Sequence, residues 1–212
     1  RMTGCIRAPW NVWVGLPGRE VVHDVRLGCR MEVRAQVGNN RTSYAVEEMV
    51  LGSDRSLPVT EAFVRAFERA ETRASISSPP KPGSTTVVFA PGVAGVITHE
   101  LIGHALEGDV VARGLTWIRA ADLSAAATPV SVIDDPTRGR GPWTIDDEGV
   151  AASETLLIDR GRPVGMLLDK SSARALGKAS TGHGRRSSYL EAVRPRMGCT
   201  FIEPGPDDPV EV

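Results

Sequence analysis

The run Thr98-His99-Glu100-Leu101-Ile102-Gly103-His104-Ala105-Leu106-Glu107-Gly108-Asp109 constrains this chain more than any other stretch. It places two of the four histidines and a glutamate within six residues, behind the apolar lead-in Val93 to Ile97. Two neutral imidazoles and a neighbouring carboxylate are the donors a catalytic zinc site requires, with the carboxylate as a base for the water such a metal activates. The spacing is His-Glu-x-x-x-His, one residue longer than the common zincin helix motif.

The extra residue has a geometric cost. In a regular α-helix, positions four apart lie about 40° apart around the axis and positions five apart about 140°. His99 and His104 therefore share a face only if the helix carries a π-bulge or breaks locally. Gly103, just before the second histidine, tolerates such a distortion. A buried helix with two incidental histidines is the competing reading.

Around this helix the pattern is α+β, mostly antiparallel sheet with a few helices, one of them carrying the motif. Residues 10–51 alternate as strands: Val12, Val14 and Leu16, then Val21–Leu27, then Met31, Val33, Ala35 and Val37. A turn at Gly38-Asn39-Asn40 leads to a strand through Tyr44 and Val46. Thr60 caps a helix in which Phe63, Ala66, Phe67, Ala70 and Ala74 recur at helical spacing, which reads as core packing. Thr86 to Phe89 reads as a short buried strand, and Val93 to Leu106 as the motif helix, closed by Gly108. Further strands are expected near Val130–Ile133 and Thr155–Ile158. The second of these pairs with Pro163–Leu168 across an Arg160-Gly161-Arg162 hairpin, and a short helix follows at Ser171–Leu176.

A net charge of −1 gives no electrostatic case for nucleic acid, and no apolar run approaches the length of a membrane span. Cys5, Cys29 and Cys199 are odd in number and far apart, so they build no disulfide framework, which fits a reducing cytoplasm.

Several blocks together resemble the TldD/PmbA family of zinc metallopeptidases. They are Val87-Val88-Phe89-Ala90-Pro91-Gly92 leading into the histidine motif and Leu106-Glu107-Gly108-Asp109; Val132-Ile133-Asp134-Asp135; Ile145-Asp146-Asp147-Glu148-Gly149-Val150; Leu157-Ile158-Asp159-Arg160-Gly161; Gly165-Met166-Leu167-Leu168-Asp169; Thr181 to Tyr189; and Pro195-Arg196-Met197. The resemblance divides the chain into residues 1–83, strands and an amphipathic helix of the family's N-terminal region, and residues 84–212, the metal-motif segment and following strands. It also implies that the chain is the middle of a longer protein, stopping before the family's C-terminal region.

The resemblance implies Zn²⁺ held by His99 and His104, with Glu100 as general base, and a third ligand, a cysteine, beyond this chain. Two imidazoles alone hold zinc weakly, so activity is expected only in a complete assembly. Glu107 and Asp109 read as groups orienting a histidine or capping the helix. Cys199 and His183 stand where the family usually has asparagines; they read as a structural thiol and a loop residue. The Asp134-Asp135 and Asp146-Asp147-Glu148 clusters read as turn residues. Arg185 and Arg186, behind Gly182-His183-Gly184, either hold a substrate carboxylate or form a salt-bridged turn near Asp146, Asp147 and Glu148.

The implied substrates are short or unfolded peptides, taken up inside a homodimer or a heterodimer with a PmbA-like partner. Amide hydrolysis of a small conjugate in a natural-product pathway is one alternative; a non-catalytic scaffold subunit is another. The intact motif speaks against the scaffold.

Overall fold

The computed structural model describes residues 2–14, 22–37, 41–49, 59–75, 82–89, 92–118, 130–139 and 141–205, the first three segments by their backbone alone. No helix among the described residues is long and apolar enough to cross a membrane. The fold is α+β with antiparallel sheets, and the chain forms two compact units, Arg1–Asn11 with Val25–Val88, and Val12–Asp24 with Phe89–Val212.

The first unit takes its form from the alternating N-terminal segment. Strands β1 (Met2–Val14), β2 (Val22–Val37) and β3 (Arg41–Met49) lie in that order in one sheet, and all but residues 12–14 and 22–24 of it fall in this unit. β2 and β3 are antiparallel, in register from Val37 opposite Arg41 to Cys29 opposite Met49. Helix α1 (Val59–Ser75) packs on β3 and buries Ala70 completely. Phe67 keeps 42% of its surface exposed, so the expected core role holds for the alanine and only partly for this ring. The side chains of Phe63, Ala66 and Ala74, and the Gly38-Asn39-Asn40 turn, lie outside what is described.

In the second unit a sheet of order β6-β5-β4-β9 supports the motif. Its strands are β4 (Val132–Asp134), β5 (Thr155–Asp159), β6 (Arg162–Pro163) and β9 (Thr200–Ile202), all antiparallel to their neighbours. The β5–β6 hairpin turns on two residues, Arg160 and Gly161, at φ 43° and 79°. Two positive φ values in a two-residue loop are the type I′ turn that suits the twist of paired strands.

β6 is shorter than the sequence suggests. The N–H groups of Val164 and Gly165 both reach the Leu157 carbonyl, at 2.9 and 3.3 Å. Two donors on one acceptor make a bulge. It turns the chain away, so that Leu167 meets the motif instead, its N–H donating to Leu106 O while Gly108 N–H donates to Leu167 O. Helix α4 (Lys170–Ala175) follows, capped by Asp169, whose carboxylate accepts the Ser172 N–H at 2.7 Å.

Two other expectations are corrected. Thr86–Phe89 forms no strand, and Val87, Val88 and Phe89 are exposed. β-propensity alone makes no strand without a partner to accept its hydrogen bonds, and none pairs with it among the described residues. Gly108 does not close the motif helix. The break falls at Glu107, which is extended (φ −64°, ψ 129°), and Gly108 opens helix α3 (Gly108–Ala112). Glycine serves there by size: a Cβ would meet Leu168 Cδ2 at 2.5 Å and Leu167 O at 2.9 Å.

The core of this unit joins Ala105, Leu106, Ile118, Val132, Leu157, Ile158 and Leu167, with Ile102, Val130 and Met197 packed against it. The inner side of the motif is therefore anchored on β4 and β5, with Glu100 exposed on the other side.

Candidate metal centre

The stretch from Val93 to Leu106 changes its winding twice. Helix α2 (Val93–Thr98) gives way to a π turn at His99–Gly103, then to a 3₁₀ turn at His104–Leu106. The His104 N–H donates to the His99 carbonyl, the five-residue closure of a π-bulge. This resolves the problem posed by the spacing, since the bulge returns His104 to the side of His99. The two rings stand edge to face, centroids 4.8 Å apart and planes at 84°. Gly103 is not there for left-handed freedom. Its φ is −56°, and it is glycine because Met197 Sδ occupies the space, 1.8 Å from where a Cβ would sit.

His99, Glu100 and His104 offer ligand atoms that all lie within 4.8 Å of one another, the group with metal-holding geometry among the described residues. His104 Nε2 lies 3.8 Å from Glu100 Oε2. The side chains of His104 and Glu100 are 43% and 63% exposed, so the cluster opens to solvent. Burial, and then the neighbouring His104, hold the His99 imidazole below its ordinary range, against the pull of Glu100 and Asp134. A neutral imidazole is the form that binds a metal. By donor type, convergence and protonation the residues fit a zinc ion.

Behind the open side lies a buried carboxylate. Glu107 Oε1 is 3.3 Å from His104 Nδ1 and 3.6 Å from Arg196 Nη1. Burial holds its carboxyl above the usual range, against the opposing pull of His104 and Arg196. Its contact is with the back of a candidate ligand, the orienting position expected from sequence. Asp109 pairs with Arg113 at 3.0 Å, at the surface of α3.

The remaining singled-out residues lie elsewhere. His183 is fully buried, with Nε2 3.1 Å from Asp134 Oδ1, Nδ1 2.8 Å from Thr181 Oγ1, and Trp143 edge-on to its ring. Asp134 also accepts the Gly198 N–H at 2.8 Å and the Thr200 hydroxyl. Asp146 accepts the N–H groups of Glu148 and Val150, as turn residues do, and also that of Gly184, 38 residues away; Asp135 accepts the N–H and the hydroxyl of Thr137. Arg185, in β7 (Gly184–Arg185), stacks over Trp143 at 4.2 Å with Nε 3.6 Å from Asp147 Oδ2. These are contacts of a salt-bridged turn. Arg186 is exposed, and its backbone N–H donates to the same Asp147 carboxylate at 2.7 Å. Cys199 packs against Gly139 and is outside the group that could hold a metal.

The Asp134–His183 and Glu107–Arg196 contacts were not read from the sequence. Glu107 sits three residues from His104, a spacing that carries the first half of its contact. Asp134 and His183 are 49 residues apart, and nothing local links them.

Residues 82–212 match the family model described as PmbA/TldA metallopeptidase C-terminal domain. The chain belongs to the PmbA/TldD metallopeptidase family. It is 35% identical over 183 residues to a metalloprotease TldD homolog of Buchnera aphidicola, covering 83% of this chain and 37% of that protein. It is 33% identical over 132 residues to a zinc metalloprotease TldD homolog of Saccharolobus solfataricus, covering 60% of this chain and 29% of the relative. The crystal structure of TldE from Thermococcus kodakarensis is similar in fold, with a TM-score of 0.59 at 20% identity over 88% of this chain and 42% of that one. The chain thus spans about a third of the length of the curated relatives it matches.

Proposed function

We propose that this chain carries the metal-binding and base residues of a zinc metallopeptidase that hydrolyses peptide bonds of short or unfolded peptides. His99 and His104 would hold the ion, and Glu100 is the general base. A zinc held there would supply Lewis acidity towards a carbonyl and towards the attacking water. Glu100, next to the first imidazole and open to solvent, takes a proton from the attacking water and returns it to the leaving amine nitrogen.

The observation carrying this reading is the π turn. A backbone winding that departs from the regular helix, and brings together two imidazoles and a carboxylate, supports a site over incidental histidines.

The exposed guanidinium of Arg186 is the group we assign to a substrate carboxylate; Arg185 serves the turn. We further infer that the site works in a larger assembly, a homodimer or a pair with a PmbA-like subunit, in a reducing cytoplasm. Val93, Val96 and Leu101, exposed on the motif segment, support a covering surface from elsewhere in such an assembly.

The test is Glu100→Gln in the full assembly. Zinc content and fold should persist while turnover falls by about 10²–10⁴-fold, the contribution of general-base catalysis. Near-wild-type hydrolysis by that variant refutes the role.

A further inference from the structure

The Pro195-Arg196-Met197 block touches the motif at two points that the proposed chemistry does not use. The first is Gly103, the last residue of the π turn. The Met197 side chain fills the space above it, with Sδ 1.8 Å and Cγ 3.0 Å from a Cβ built there. The second is Glu107, whose Oε1 stands between Arg196 Nη1 and His104 Nδ1.

The second contact fixes more than position. A carboxylate only accepts, so His104 carries its hydrogen on Nδ1 when it bonds to Glu107. The lone pair is then on Nε2, the nitrogen on the Glu100 side. Glu107 is 5% exposed, and a buried carboxylate stays in place only where a cation or donors answer its charge. Arg196 supplies the cation.

Arg196 is itself held in register. Its N–H donates to the His183 carbonyl at 2.9 Å, and β8 (Arg194–Pro195) pairs with β7 through Gly184 opposite Pro195. One residue beyond Met197, the Gly198 N–H donates to the buried Asp134. The segment is thus tied on both sides of the residues that touch the motif.

We propose that Arg196 and Met197 are positioning residues of the metal site, Arg196 setting the tautomer and orientation of His104 through Glu107, and Met197 seating the π turn through Gly103. This rests on the reading of His99 and His104 as ligands. Removal of either contact leaves the ligands present and their geometry unsupported.

The experiment uses the full assembly in two states. In the metal-free protein, ¹⁵N NMR of the His104 ring reports the tautomer; zinc titration, with the cobalt(II) absorption spectrum as second readout, reports the site. The wild type is expected to show His104 with its hydrogen on Nδ1. Arg196→Met should move part of the population to the Nε2–H form and weaken zinc by about 10–100-fold, the usual effect of losing an outer-shell partner. Arg196→Lys, which restores the charge, should recover much of that loss. Met197→Ala should weaken zinc and alter the cobalt spectrum, and Met197→Leu, close in volume, should do so far less.

An unchanged tautomer and affinity in Arg196→Met overturn the first half. Met197→Leu as impaired as Met197→Ala, or both unaffected, overturns the second. A wild type that binds no zinc refutes the ligand assignment instead, while the metal-free tautomer still tests the Arg196–Glu107–His104 contact.

Discussion

Replacement of Asp134 by alanine tests whether the second unit is held around a buried carboxylate. Asp134 is fully buried and serves three donors: His183 Nε2, the Gly198 N–H and the Thr200 hydroxyl. A buried donor left without an acceptor costs about 1–3 kcal/mol. The hydroxyl can rotate to another acceptor. The backbone N–H and the ring cannot, because the chain around them is fixed. Two stranded donors and a small cavity give an expected loss of about 3–5 kcal/mol, a large share of the stability of a typical domain.

His183→Gln separates this from a simple packing effect. Its amide nitrogen reaches about as far as Nε2 and still offers an N–H to Asp134, so its loss should stay near or below about 2 kcal/mol, the part owed to the lost ring beside Trp143. Urea unfolding followed by circular dichroism gives both values, with m unchanged if the denatured state is unaltered. The Asp134→Ala/His183→Ala double variant should fall short of the sum by about 1 kcal/mol or more, since the two share one contact. A loss under about 1 kcal/mol for Asp134→Ala, or strict additivity, would refute the account. Zinc affinity should fall in parallel, because Gly198 anchors the segment that seats Met197 on the π turn.

Three further outcomes are expected. Gly108→Ala forces a Cβ against Leu168, Ser172 Oγ and the Leu167 carbonyl, and should cost about 1–3 kcal/mol in a thermal melt despite alanine's better helix propensity. Burial pushes the Asp135 carboxyl up, yet hydrogen bonds from Thr137 and the Arg138 guanidinium hold it below the usual range. Its contribution is therefore present above its unfolded value and lost as pH falls through the folded one. The stability gap between wild type and Asp135→Asn should accordingly shrink below about pH 4 in unfolding curves taken across the acid range. Arg186→Ala should raise KM for peptides with a free C-terminus and leave blocked, neutral peptides nearly unaffected; an equal loss on both would assign Arg186 to structure.

Much of the fold was legible because its signals are local. Alternation in β2 and β3, the Arg160-Gly161 turn and the helix after Asp169 each depend on residues adjacent in the chain. The failures have a common cause. Thr86–Phe89 has a strand's composition, but a strand exists only against a partner, and partnership is not written in the segment. Gly108 looks like a helix cap by position. Its reason is the approach of Leu167 and Leu168 from some 60 residues away, which no local pattern announces.

The site divides along the same line, and the division bears on how a metal motif should be read. The donors, and the need for a π-bulge or a local break, follow from the spacing of His99 and His104, because 3.6-residue winding cannot unite positions five apart. The reason the turn holds its shape does not follow from it. A π-bulge costs energy relative to the regular helix and persists where the surroundings favour it. Here those surroundings are Met197 over Gly103 and Glu107 behind His104, contributed in part by a segment about 90 residues downstream. The motif therefore specifies which atoms meet, and the Arg196-Met197 segment specifies how firmly. A chain with the six-residue motif intact and that segment altered would keep its donors but hold them in a geometry less suited to zinc.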